Sequence, residues 1–349
     1  MVTPQDLIAP GRFVVGCNYW ASHAGTAMWT DWRPEVVAED VRQLSAAGLQ
    51  VLRVFPLWPA FQPLTLLRTA HATPVEFRHG ELPLADDADG QAGVSAVMLD
   101  RLAALLDLAE AHGLKLILGL ITGWMSGRLF VPPALEGRNP ITDPTALMWE
   151  VRLVQHLVRR FRDHPAVLAW DLGNECNCLG PATRAEAWVW TAALVNAIRA
   201  EDRGRPVVSG MHGLTAARDA AWTIQDQGAL TDLLTTHPYP VFTPHCDRDP
   251  VHTLRPVLHA AAESRWYADI GQAPCLVEEI GTLGPMLASE AVAAAFLRAV
   301  LFSAWAHDGH GLLWWCAYDQ GHLDHAPYDW DASERELGLF RGDRTARPV

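Results

Sequence analysis

The chain has 349 residues, half of them apolar and 19% charged, so it buries a sizeable core and is not generally disordered. Subtracting 40 Asp and Glu from 27 Lys and Arg leaves −13, which excludes a broad basic surface for nucleic acid or an anionic membrane. Lys115 is the only lysine and lies in "HGLKLIL" with no glycine-rich loop before it, so a Walker A phosphate loop is excluded as well.

The first residues, "MVTPQDLIAPGRF", lack a basic stretch followed by an apolar run, so no signal peptide is expected there. Apolar runs such as "LKLILGLI" fall far short of the roughly 20 residues a membrane span needs. The six cysteines (17, 176, 178, 246, 275 and 316) fit no zinc spacing. They read as reduced core thiols and suggest a cytoplasmic protein, unless a signal was removed to leave a secreted one.

Short apolar runs predict buried strands at 12–20, 49–55, 114–121, 166–174, 206–213, 233–239, 273–281 and 310–319. Helical spacing fills 34–47, 95–112, 144–162, 183–200, 254–268 and 289–307, and 214–232 has room for one small helix. Strands apolar on both faces and separated by helices imply a parallel sheet, either open and doubly wound or closed. No G-x-G-x-x-G follows the first strand, which weakens the open sheet, and eight such units in a chain of this length match a (β/α)8 TIM barrel. No linker or charge block divides residues 1–349, so they read as a single barrel domain. The chain stops at "GLFRGDRTARPV", where an eighth helix should begin, so that helix is expected to be truncated, disordered or missing.

Long connections at 56–94, 122–143, 240–253 and 319–337 follow strand C-terminal ends, the face where barrels of this kind carry their sites. "AWDLGNECN" (169–177) puts Asn174 and Glu175 at the end of the fourth strand, and "PCLVEEIGT" (274–282) puts Glu278 and Glu279 at the end of the seventh. These strands lie on opposite sides of the mouth, so two carboxylates can face each other across it. Such a pair serves glycoside hydrolysis, one as nucleophile and the other as acid and then base, with a gap of about 5–5.5 Å for retention of configuration.

With "GNE" on strand four and "E-x-G" on strand seven, the sequence resembles the clan A glycoside hydrolases, the 4/7 barrels, and family 5 most. The likeness runs from "GCNYW" through "LRVFPLWPAFQP" and "THPYP" to "LLWWCAYD". It implies that Glu175 is the acid/base, Glu279 the nucleophile, and Asn174 a ligand of the sugar 2-hydroxyl. Arg53 matches the arginine that keeps the nucleophile ionised, His237 and Tyr239 match an H-x-Y on strand six, and Trp315 matches the platform under the scissile sugar. The family's histidine at the end of strand three is absent from "LGLITGWMSG", so Thr122 or Trp124 is expected in its place. Trp58, Trp124, His23 and His212 are expected pocket residues. Glu278, one residue from Glu279 on a strand, is expected to point towards the helices, with Val277 inside the barrel; Trp314 should also face outwards.

"NYW" and "RVFPLWPAFQP" resemble the β-mannosidase and β-mannanase branches. They imply a retaining enzyme on β-mannosides or β-1,4-linked manno-oligosaccharides, with exo action favoured by loop length. β-Glucosidase, β-galactosidase and endo-glucanase readings stay open. No cofactor or metal is expected; partners are a glycoside substrate, with neither nucleic acid nor membrane. Two rivals come from other classes, a non-catalytic carbohydrate-binding barrel and a metal-dependent hydrolase using His237, His245 and His252. For the second no H-x-H or H-E-x-x-H spacing exists. Lys115 starts its strand and so belongs to the face away from the site, which disfavours a Schiff-base aldolase.

Overall fold

The computed structural model describes residues 2–243, 245–284, 287–329 and 334–348. Eight parallel strands form the barrel: β1 (Val14–Tyr19), β2 (Val51–Val54), β3 (Lys115–Ile121), β4 (Val167–Gly173), β5 (Val207–Val208), β6 (Leu234–Thr236), β7 (Cys275–Ile280) and β8 (Gly311–Trp314). Between them run α1 (Pro34–Ala46), α2 (Ala96–Ala111), α3 (Pro144–Phe161), α4 (Arg184–Glu201), α5 (Ile224–Leu230), α6 (Leu254–Gly271) and α7 (Glu290–Ala306). Neighbours pair in the order β5-β4-β3-β2-β1-β8-β7-β6. A parallel bridge between Val208 and Leu233 closes the ring, and the Ser209 and Thr235 hydroxyls meet there at 3.0 Å.

Four of these helices, α3, α4, α5 and α7, start where a side chain satisfies their free N–H groups. Asp143 accepts from the Thr145 and Ala146 amides ahead of α3, with Pro144 in the first turn, where its missing N–H costs nothing. Thr183 and Glu186 form a capping box on α4. Inside the barrel, Leu7, Val14, Val51, Ile117, Leu168, Val208, Leu233, Leu276 and Leu313 pack together, with Leu7 entering from the N-terminal turn. Val277 joins the outer layer between strands and helices instead, as does Trp314, which packs against Phe296 of α7.

Among the described residues no helix follows β8. Residues 334–348 run back over the barrel's flank, where Arg341 pairs with Glu290 at the start of α7 and Arg344 with Asp40 of α1. This strap ties the two helices between which an eighth would lie. Within connection 56–94, a three-stranded antiparallel sheet (Leu64–Arg68, Pro74–His79 and Leu82–Pro83) appears that the apolar pattern did not signal. Its strands are short and exposed on both faces over much of their length, so no buried stripe marks them.

Gly210, just beyond β5, supports the end of β4. Its φ is +59°, and a Cβ there would lie 2.1 Å from Asp171 Oδ1 and 2.2 Å from the Gly173 carbonyl. A side chain meets both a left-handed backbone and an immovable carbonyl. Gly210→Ala is expected to cost at least about 2 kcal/mol in denaturant unfolding. An unchanged midpoint would contradict this close approach.

Candidate active site

The C-terminal ends of β2, β4, β6 and β7 bring one buried cluster of charged groups together. Arg53 is wholly enclosed. Its Nε donates to Asp171 Oδ2 at 2.8 Å and lies 3.2 Å from Glu278 Oε1. One terminal nitrogen donates to Glu279 Oε1 at 2.7 Å and to Asn174 Oδ1 at 3.0 Å; the other donates to the Gly173 carbonyl at 3.0 Å. Burial disfavours its charge, but Asp171, Glu278 and Glu279 outweigh burial and hold it protonated.

Glu175 ends β4 in the left-handed region, at φ +46° and ψ +47°, which costs a non-glycine residue about 1 kcal/mol or more. That turn lifts its carboxylate over the mouth. Oε1 accepts from His237 Nδ1 at 2.8 Å and Oε2 from the Trp124 indole at 3.2 Å. Across the mouth, Glu279 Oε2 accepts from the Tyr239 hydroxyl at 3.2 Å and lies 3.5 Å from His237 Nδ1. Ligand-capable atoms of Glu175, His237 and Glu279 lie within 4.8 Å of one another. That spacing also suits a metal ion, yet Arg53 already brings a fixed positive charge to Glu279, and both His237 nitrogens face carboxylates. Among the described residues, neither His245 nor His252 joins a group with metal-ligand spacing.

Glu278 corrects the sequence expectation. Its side chain is wholly buried beside Arg53 and faces His237 Nε2 at 3.4 Å, rather than pointing to the helices. The pairing of β7 with β8 slips between Val277 and Ile280, and this irregularity breaks strict alternation. Leu276 and Glu278 share the barrel interior with Val277 facing outwards, and the slip beyond Val277 lets Glu279 reach the mouth as well.

The electrostatics also differ from expectation. Arginine beside a carboxylate lowers its pKa, so a depressed value is expected for Glu279; instead burial, with Glu175 and Glu278 adding, outweighs His237 and Arg53 and raises it. A general acid needs a raised pKa, but Glu175 is held down at about 2. Burial alone would raise it; the hydrogen bond and charge of His237, with His212 and Arg53, prevail. His237 is correspondingly pushed up to about 10, against burial, by Glu279, Glu175 and Glu278. Asp171, under Arg53, is raised to about 8 by burial, with Glu278 adding.

A cavity of about 380 Å³ opens over this cluster, lined by Trp124, Asn174, Glu175, His212, Tyr239, Glu279 and Trp315 among others. His212 is partly exposed, its Nδ1 3.9 Å from Glu175 Oε1. Of the two residues expected in place of the strand-three histidine, Trp124 reaches the cluster: its indole donates to Glu175, and its carbonyl accepts from Asn174 Nδ2 at 3.0 Å. Thr122 is buried on the Gly119 carbonyl. Trp58 and His23 do not line the cavity. Trp58 is wholly buried, donating to Gln62, and His23 turns into its own loop, with Nε2 2.7 Å from the Asp31 carbonyl.

Sequence reasoning missed Asp171, Asn18 and Glu334. Asn18 donates to the Glu278 carbonyl, and Trp315 donates to Glu334. Asp171 lies four residues before Glu175 on an inward-facing position, and a charged residue inside an apolar strand was the available signal. Glu334 lies in an irregular connection and gave none.

Residues 108–227 match the family described as glycosyl hydrolases family 2, TIM barrel domain. The chain is 30% identical over 155 residues to mannan endo-1,4-beta-mannosidase F of Aspergillus clavatus, covering 42% of this chain and 35% of that one. It is 28% identical over 205 residues to mannan endo-1,4-beta-mannosidase A of Podospora anserina, covering 52% and 51%. The chain thus spans between a third and about half of the length of these relatives. Among solved structures, an exo-beta-1,4-mannosidase from Opitutaceae bacterium strain TAV5 superposes with a TM-score of 0.76 at 26% identity, over 100% of this chain and 60% of that one. A GH5_18 protein from Streptomyces cattleya, in complex with GlcNAc, gives 0.81 at 24%, over 97% and 78%.

Among the described residues, Arg53 is the arginine that Asp171, Glu278 and Glu279 share, so its removal should be severe. Arg53→Met is expected to lose about 3–5 kcal/mol at pH 7, because Asp171, Glu278 and Glu279 then face one another unpaired. Without the guanidinium the folded-state pKa values of Asp171 and Glu279 rise further above the unfolded ones, so stability falls as pH increases. The deficit should therefore shrink towards pH 4, where protons replace the missing charge. An equal deficit at both pH values would show that lost packing, not charge, dominates.

Proposed function

We propose that this chain is a retaining β-glycoside hydrolase acting on β-mannosides, with Glu279 as nucleophile and Glu175 as acid and base. The observation that carries the reading is the placing of those carboxylates across one cavity, with oxygens within 4.8 Å. That gap suits direct attack by one carboxylate and is too narrow for the attacking water of an inverting enzyme, which needs about 6.5–9.5 Å.

Glu279 attacks the anomeric carbon while Arg53 and Tyr239 hold its two oxygens, fixing the direction of approach. The bond to the leaving oxygen breaks as that oxygen takes a proton from Glu175. Water then attacks the glycosyl-enzyme, Glu175 accepts the water's proton, and Glu279 leaves as a carboxylate. Asn174 gives its amide to the Trp124 carbonyl and, weakly, to Met125 Sδ at 3.9 Å, and its oxygen to Arg53, so a sugar 2-hydroxyl competes for the second amide hydrogen only with a thioether. Trp315, inside the cavity wall and braced on Phe55, offers an apolar face to the sugar ring.

The sugar assignment rests on the likeness to mannan endo-1,4-beta-mannosidases and to an exo-beta-1,4-mannosidase. A second cavity of about 540 Å³ adjoins the first at His212 and Phe242, with Trp266 and Glu263 of α6 in its wall. It offers room for the leaving saccharide, so a short β-1,4-linked manno-oligosaccharide cut from its end fits best. Buried, unpaired thiols such as Cys17 and Cys275 suit a reducing compartment, and no helix among the described residues is long and apolar enough to cross a membrane.

Across a panel of aryl β-glycosides, the β-mannoside should be hydrolysed fastest, and NMR should show β-mannose as first product. Faster cleavage of another sugar would correct the specificity; an α product would overturn retention. Glu279→Ala should lose turnover and regain part of it with azide, giving the α-mannosyl azide. Trp266→Ala should lower kcat/KM on mannobiose roughly ten-fold more than on an aryl mannoside, the loss of about 1.4 kcal/mol of stacking. Equal effects on both substrates would place the leaving sugar elsewhere.

A further inference from the structure

His237 is held between two carboxylates by opposite edges of its ring. Nδ1 lies 2.8 Å from Glu175 Oε1, Nε2 lies 3.4 Å from Glu278 Oε2, and the ring is fully enclosed. A carboxylate oxygen accepts and cannot donate, and a neutral imidazole carries one N–H. A neutral ring between two carboxylates would therefore point a lone pair at one of them. With both groups ionised, only the imidazolium donates to both; a neutral ring would need one of the two acids to be protonated and to donate to it. We infer that Glu278 is a positioning residue that fixes His237 as an imidazolium, so that in the free enzyme the proton destined for the leaving oxygen rests on His237. This rests on the reading of Glu175 as the acid.

The other groups around the ring agree. Glu279 lies 3.5 Å from Nδ1, and Arg53 holds Glu279 by a terminal nitrogen and both Glu278 and Asp171 by its Nε. Tyr239 follows on the same connection and donates to Glu279. The His212 ring stands 6.2 Å away on the cavity side, while His259 and Glu263 of α6 line the outer cavity, whose wall His237 joins. Glu278 Oε1 receives no hydrogen bond, so its hold on Arg53 is ionic and its charge is what it contributes. The raised His237 and lowered Glu175 follow from the same geometry.

The proton balance is simple. As the glycosidic bond breaks, its electron pair stays on the leaving oxygen, which is protonated by the Glu175 carboxyl. That carboxyl draws its proton from Nδ1, leaving a neutral ring whose remaining Nε2–H stays on Glu278. When water attacks the glycosyl-enzyme, its proton returns through Glu175 to Nδ1. Glu278 thus holds one tautomer throughout, as the buried aspartate of a Ser-His-Asp triad does for its histidine.

The test combines a pH profile with direct observation of the ring. In Glu278→Gln the imidazolium loses its counter-charge and Glu279 loses a repulsive neighbour. Both limbs of kcat/KM on an aryl β-mannoside should then move to lower pH by about one unit. Glu278→Asp, which keeps the charge, should restore them towards the wild-type positions. Histidine ring ¹⁵N spectra of the free wild-type enzyme at pH 7 should show His237 with both nitrogens protonated, and Glu278→Gln should favour the neutral ring. A neutral His237 in the wild type overturns the inference, as do unmoved limbs in Glu278→Gln. If no glycoside is hydrolysed, the glycosidase reading fails, while the spectra of the wild type still decide where the proton lies.

Discussion

The site depends on one guanidinium. Arg53 cannot leave the cluster without stranding Asp171, Glu278 and Glu279, and it reaches β1, β4 and β7 from β2 through Asn18, Asn174, the Gly173 carbonyl and the carboxylates. A buried charge of this kind is tolerated only when nearly every donor is used, which is the case here. Its position therefore fixes the relative height of four strand ends. It also fixes where the proposed nucleophile can sit, because the 2.7 Å contact holds one Glu279 oxygen in place while Tyr239 holds the other.

Around Arg53, carboxylates outnumber cations. Asp171, Glu175, Glu278 and Glu279 share Arg53 and His237 in an enclosed space, so not all four carry full charge independently. The structure resolves the excess by environment. Asp171, deepest, is pushed up to about 8, while Glu175, beside the imidazole and nearest the cavity, is held at about 2. Carboxyl groups of one chemistry are thereby separated into different protonation states, but Glu175 is the one held ionised, so the proton that an acid needs has to come from a neighbouring group. The His237 ring between them makes the Glu175 proton a shared property of the pair.

Much of this was legible in the sequence because the barrel repeats one rule. The strands are apolar on both faces and several helices carry a side-chain cap, so the strands and helices fall close to the runs that the apolar pattern marks out. Glu175 was legible for the same reason, as a charge at a strand end after "AWDLGN". Glu278 was not, since placing Glu279 in the mouth assigns its neighbour to the outer face, and only the slip in pairing beside β8 lets both face inwards. Such a slip depends on two strands together and leaves no mark in either alone. Trp58 and His23 failed for another reason: an aromatic or imidazole in a loop is equally at home in the packing of that loop, and these two are held by Gln62 and by Asp31. The strap over α1 and α7 was also hidden, since Arg341 and Arg344 read as surface charges until their partners on distant helices are known.

The central claim is that Glu279 forms the covalent intermediate at a mouth where Glu278 lies one residue away and equally enclosed. Incubation with a 2-deoxy-2-fluoro-β-mannosyl fluoride slows release of the intermediate, and peptide mass spectrometry then locates the sugar. The account predicts one fluorosugar per chain, attached to Glu279 in the peptide containing "CLVEEIG", with activity lost in step with labelling. A sugar on Glu278, or hydrolysis of the reagent with no labelled peptide, would contradict it.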